Sequence, residues 1–176
     1  EIFSGLGMDP DSAAAVRRAN WWVHGVLALT FIAALPWNKA KHMIAVMGSL
    51  ASRDVNALSR LPRVATETEG DIGISAINQF AWKDLLNFDA CTKCGRCHEA
   101  CPARASGAPL SPRDLILDLR SFAEPTQGKV KEGGPQLVGD IIPAETLWSC
   151  RSCGACMEIC PVGIEHPTMI VQMRRH

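Results

Sequence analysis

Residues 91–102 read CTKCGRCHEACP, and residues 150–161 read CRSCGACMEICP. Both follow C-x2-C-x2-C-x3-C-P, and all eight cysteines of the chain lie in these two combs. A disulfide framework rarely arrives as two copies of one metal-ligand spacing. Structural zinc takes four ligands, usually as two CxxC pairs, and has no use for a third Cys two residues further on. Three thiolates at this interval instead let a short loop wrap one corner of a cuboidal iron–sulfur cluster. In two-cluster proteins the fourth Cys, followed by Pro, leaves the loop and ligates the other cluster. On that rule Cys91, Cys94, Cys97 and Cys160 hold one 4Fe–4S cluster, and Cys150, Cys153, Cys156 and Cys101 hold the second. Gly95 and Gly154 sit where a wrapping loop needs backbone freedom, and Pro102 and Pro161 turn the chain away.

The combs are separated by 48 residues, more than a small strand-rich ferredoxin needs. That spacer contains SPRDLILDLRSF, with Ser111 as N-cap, Pro112 at the first helical position and Asp114 at the positive end of the dipole. Leu115, Leu119 and Phe122 fall on one face, and Pro125 is expected to lie beyond the helix end. AINQFAWKDLLNF and AETLWSC read as helices leading into the two combs, and GKVKEGGPQ reads as a loop. The expected fold is all-α: a transmembrane helix followed by an α-helical ferredoxin domain with two 4Fe–4S clusters.

The transmembrane expectation rests on WWVHGVLALTFIAALPW, residues 21–37, which carries no charge over 17 residues. As a helix it covers about 26 Å, close to the hydrocarbon thickness of about 30 Å. Trp21, Trp22 and Trp37 suit the interface, and Lys39 and Lys41 can reach headgroups. His24 and His42 are 18 residues apart, five turns of a continuous helix, so they share a face to the extent that Pro36 does not kink it. Imidazole is an axial ligand for haem iron, and an ionisable residue in such a helix is a candidate functional group. Basic residues beyond the apolar run place the C-terminal side in the cytoplasm. The net charge is zero, with 18 Lys and Arg against 18 Asp and Glu, so no broad field draws nucleic acid. Residues 51–75, including TETEGD, read as a solvated connector along the membrane surface. The chain lacks an initial Met and ends inside an apparent helix, so both ends are expected to continue in a longer polypeptide.

Residues 80–176, from FAWKDLLNFDACTKCGRCHEACPA through PLSPRDLILDLR to LWSCRSCGACMEICPVGIEH, resemble the iron–sulfur domain of heterodisulfide reductase-related oxidoreductases. That group includes iron–sulfur components of heterodisulfide reductase itself and bacterial membrane iron–sulfur oxidoreductases of the electron-transfer-flavoprotein:quinone type known from actinobacteria. The resemblance implies a flavoprotein donor such as an electron-transfer flavoprotein, and cysteine-rich CCG domains beyond the present sequence. HGVLALTFIAALPWNKAKH resembles the last transmembrane helix of the nitrate reductase gamma-subunit family. That likeness implies that His24 and His42 each supply one axial ligand to a b-type haem, one or two haems in all. Their partner histidines would come from further transmembrane helices before residue 1.

The expected organisation is therefore 1–50, the end of a haem b-type membrane domain; 51–75, a connector; and 76–176, the ferredoxin domain. The chain reads as the electron-transfer portion of a membrane-bound oxidoreductase in the cytoplasmic membrane, iron–sulfur domain inward, linking two clusters to haem b and a quinone or menaquinone pool. An electron-transfer component of a heterodisulfide (thiol–disulfide) reductase and a membrane-tethered ferredoxin without its own catalytic site are the alternatives. No nucleophile–base set, dinucleotide fingerprint or phosphate loop is visible, so no catalytic residue is assigned. Lys93, Arg96 and Arg151 lie in the cluster loops, where a cation favours the reduced cluster. His98 and His166 are expected to meet solvent or form hydrogen bonds rather than ligate, and His176 carries no assignment.

Overall fold

The structure, a computed structural model, describes residues 9–38, 40–61, 72–126 and 134–176. Lys39, TETEGD and most of the GKVKEGGPQ loop lie outside the described residues. The described residues contain helices and one isolated β-bridge, Val138 to Ile142, with no strand among them. The chain divides into two compact units, Glu1–Lys41 and His42–His176.

The first unit holds α1, Pro10–Ala34. Pro10 occupies the first helical position, and the Asp9 carbonyl accepts from the Ala13 N–H at 2.9 Å and from the Ser12 hydroxyl at 2.8 Å. None of its residues is buried by the chain, and Trp21, Leu27, Leu29 and Phe31 are each more than 60% exposed. A core helix of a soluble unit would hide such residues; this one needs apolar surroundings from elsewhere. The Thr30 hydroxyl is satisfied internally, donating to the Val26 carbonyl at 2.8 Å. The stretch Pro10–Trp37 is long and apolar enough to cross a membrane.

Helix α1 does not run on to His42. Pro36 withholds an N–H, the chain tightens into a 3-10 turn at Leu35–Trp37, and Asn38 is extended. Helix α2, Lys41–Ala51, then starts afresh. The five-turn count from His24 to His42 assumes one continuous helix, which α1 and α2 do not form. His24 is exposed on α1, and His42 is half-buried on α2, seven residues before the buried Ser49 and so on the same face.

In the second unit, α3 (Trp82–Ala90), α6 (Pro112–Thr126) and α9 (His166–Arg174) supply much of the core. Phe88, Leu115, Ile116, Leu119, Met169 and Ile170 are all at most 2% exposed. Phe80 meets Phe88 edge-on at 5.3 Å. Helix α2 joins this unit through Ala45 and through Ser49, whose hydroxyl lies 2.8 Å from Asn87 Oδ1 and 2.9 Å from the Val162 carbonyl.

Two helix ends differ from the sequence reading. AINQFAWKDLLNF forms a short 3-10 turn, Ile77–Gln79, and α3 begins only at Trp82. The Gln79 side chain takes the N–H groups of Ser75 and Ala76, and Asp84 accepts from the Ala81 N–H, so each piece has its own cap. Helix α6 passes through Pro125 to Thr126. A proline in the last turn removes a single hydrogen bond, and the Thr126 hydroxyl reaches the Phe122 and Ala123 carbonyls at 3.0 and 3.1 Å.

Candidate metal centres

The two combs fold alike. Helix α3 ends at Cys91, and α7 (Ala144–Trp148) ends just before Cys150. Two residues on, Lys93 and Ser152 both take a left-handed conformation, φ 58° and 51°. Gly95 and Gly154 then do the same at φ 82° and 79° and cap α4 (Arg96–Glu99) and α8 (Ala155–Glu158). Such alternation turns successive N–H groups inward, forming a concavity for negative charge. The Ser152 N–H donates to Cys150 Sγ at 3.3 Å, and the Lys93 N–H does the same for Cys91. The glycines were legible in the sequence. Lys93 and Ser152 were not, because left-handed backbone at a residue with a Cβ has no compositional signal.

The fourth cysteines diverge. Pro102 opens a short helix, α5 (Pro102–Ala105), whereas Pro161 opens a turn. Their positions bring the combs into each other's cavities. One cavity is lined by Cys91, Cys94, Cys97 and Cys160. The other is lined by Cys101, Cys150, Cys153 and Cys156. Each thus draws three sulfurs from one comb and one from the other. Among the described residues, no three His, Cys, Asp or Glu side chains converge on a point that would hold a single metal ion. Four cysteines lining one cavity, three of them at C-x2-C-x2-C spacing, suit a polynuclear iron–sulfur group.

Burial pushes the Cys97 thiol up to about 11, with Cys160, Cys91 and Cys94 adding like-charge repulsion. Burial likewise pushes Cys156 up to about 12, reinforced by Cys150, Cys97, Cys101 and Cys153. Thiolates crowded this way need a cationic centre among them. Helices α4 and α8, which carry Cys97 and Cys156, pack against each other, so the two cavities lie side by side. Cys94 and Cys153 are exposed, which leaves one edge of each site open to solvent.

Arginines complete the surroundings, of which the sequence singled out Arg96 and Arg151 but not Arg113, Arg120 or Arg174. Arg120 of α6 donates to the Cys91 carbonyl at 3.4 Å. Arg174 of α9 donates to the Cys150 carbonyl at 2.6 Å and to the Leu147 carbonyl, from Nε, at 2.9 Å, with its guanidinium 5.1 Å from the Trp148 ring centre. Each comb therefore has an arginine from the following long helix on the carbonyl of its first cysteine. Arg96 and Arg113 line the first cavity and Arg151 the second. His98 bonds through Nδ1 to the Ser111 hydroxyl at 2.6 Å, and that hydroxyl accepts from the Asp114 N–H, the cap expected for α6. His166 is 1% exposed, lies 3.1 Å through Nδ1 from the Ile164 carbonyl and lines the first cavity; burial holds its pKa down to about 4.

Residues 90–164 match the family described as a 4Fe-4S dicluster domain. The chain is 32% identical over 96% of its length to the EtfAB:quinone oxidoreductase of Syntrophomonas wolfei, covering 27% of that protein. It is 41% identical over 62% of its length to a protein of Chromohalobacter salexigens described as a probable membrane-anchored ferredoxin, covering 19% of it. It is 38% identical over 46% of its length to one polypeptide of the dihydromethanophenazine:CoB–CoM heterodisulfide reductase of Methanosarcina barkeri, covering 21% of it. The chain thus spans between a fifth and about a quarter of the length of these relatives. No solved structure matches it.

Proposed function

From a chain that carries a 4Fe–4S dicluster domain at residues 90–164 and is homologous to heterodisulfide reductase-related iron–sulfur oxidoreductases, we propose the electron-transfer segment of a membrane-bound, quinone-linked oxidoreductase. The observation that carries this reading is the pair of adjacent four-cysteine cavities, each taking one sulfur from the opposite comb. Cys91, Cys94, Cys97 and Cys160 would hold one cluster, and Cys150, Cys153, Cys156 and Cys101 the other. When bound, such clusters supply one-electron transfer without proton chemistry at a substrate. The residues of this chain do the rest. Buried Cys97, Cys101 and Cys156 keep water from the inner sulfurs, and the N–H groups of Lys93 and Ser152 with nearby guanidinium groups favour the added negative charge.

Helix α1 would cross the cytoplasmic membrane, with the iron–sulfur unit on the cytoplasmic side. His24, exposed on α1, and His42, at the start of α2, would each offer an imidazole to a b-type haem whose other ligands come from helices outside this sequence. A flavoprotein of the electron-transfer type would be the soluble partner, as the name of the Syntrophomonas relative suggests for that protein. A tethered ferredoxin is the second reading, favoured by the Chromohalobacter relative. A pyridine haemochrome assay on the intact assembly, extracted anaerobically and normalised to iron and sulfide, separates the two. Haem b beside about eight cluster irons per chain supports the quinone-linked reading. The same clusters without haem overturn it in favour of the tethered ferredoxin.

A further inference from the structure

Helix α2 has two faces. Ala45 and Ser49 are buried against the second unit and Leu50 rests its Cδ2 on Gly163, whereas Met43 (57% exposed) and Met47 (73%) stand one turn apart on the outside, with Ile44 (48%) beside them. Val55, at 82%, continues the exposed apolar surface past the helix end. Exposed apolar side chains at this density need a cover. Helix α2 contains no acidic residue, opens with Lys41 and is followed by Arg53 and then Asp54. Only residues 38–40 separate it from the apolar stretch that ends at Trp37. Even fully extended, that connection reaches about 15 Å.

We propose that the outer face of α2 lies in the lipid headgroup layer, with Met43 and Met47 pointing toward the acyl chains and Lys41 and Arg53 toward anionic phosphates. The inference rests on α1 spanning the bilayer, because the short connection then delivers α2 to the membrane surface. An amphipathic helix with a methionine and isoleucine face and basic residues at its ends has the chemistry for that position. The inner face of α2 meets the Val162 carbonyl through Ser49, and Leu58 packs over Gly154. Val162 and Gly154 line the first and second cysteine cavities respectively. One thin layer, residues 41–61, would therefore stand between both cysteine cavities and the lipid.

The test uses the full-length protein in its own membranes. Photoreactive p-benzoylphenylalanine replaces Met47 in one variant and Asp118, an exposed acidic position on α6, in another. Retention of the chain in membranes after alkaline carbonate extraction checks insertion separately. The expected result is retention, with a phospholipid adduct after irradiation at position 47 and none at position 118. Retention with a polypeptide adduct, or with no adduct, at position 47 overturns the inference and leaves the spanning helix standing. Release by carbonate overturns the spanning helix and the inference with it. A lipid adduct at both positions marks unspecific reaction and overturns the assignment to this face.

Discussion

Gly95 and Gly154 have the same backbone conformation and different neighbours, which makes them a matched pair. At φ 82° and 79° an added Cβ costs each position about 1–2 kcal/mol. At Gly95 the nearest atom to that Cβ would be Arg113 Nη1 at 3.8 Å, an ordinary contact. At Gly154 it would meet Leu58, with Cδ2 at 2.9 Å, Cγ at 3.2 Å and Cδ1 closer still. Leu58 is 43% exposed and has room to swing away, forfeiting about half the value of a buried leucine, roughly 1 kcal/mol. Gly95→Ala should therefore cost about 1–2 kcal/mol and Gly154→Ala about 2–3 kcal/mol. In a Leu58→Ala background the excess should vanish, a coupling of about 1 kcal/mol. Anaerobic guanidinium titrations, followed by far-ultraviolet dichroism and by the visible cluster absorption, give the midpoints. Equal costs for the two alanines, or a Gly154→Ala cost unchanged by Leu58→Ala, would refute the proposed packing of Leu58 on the second loop.

Asp84 is 7% exposed, and burial, with Glu165 adding repulsion, raises its pKa from 3.8 to about 6. Its contribution to stability is present below pH 3.8 and is lost as pH rises through 6, so Asp84→Asn should stabilise the fold at pH 7. The gain should be of order 2–3 kcal/mol, shrinking to nothing near pH 3.5, and thermal melts across that range give the sign. Arg174→Met should lower the stability of the second loop by about 1.5–3 kcal/mol and lower the potential of the cluster beside it. Arg174→Lys should keep much of the potential but not the stability, because an ammonium cannot span the Leu147 and Cys150 carbonyls; paired melts and redox titrations separate the two effects.

The parts legible in sequence were those with periodic or spaced signals: the cysteine combs, the Ser111 cap and the apolar stripe of α6. The buried Ile116 was missed beside Leu115 and Leu119, because a helix packed on two sides buries more than one stripe. Arg120 and Arg174 were illegible, since an arginine 29 or 24 residues from the carbonyl it reaches is set by tertiary packing alone. The break after α1 was foreshadowed by Pro36, yet proline in a long apolar helix is compatible with either a kink or a stop. Burial decided the fate of α2: read as the tail of the membrane helix, it packs instead with the second unit through Ala45 and Ser49.

The crossed ligand sets are tested most directly by electron paramagnetic resonance of the reduced holoprotein carrying single Cys→Ser changes. The account predicts that Cys160→Ser alters the same signal as Cys94→Ser, and that Cys101→Ser alters the same signal as Cys153→Ser. Cys160→Ser grouping with Cys153→Ser instead would assign each comb its own cluster and contradict the account.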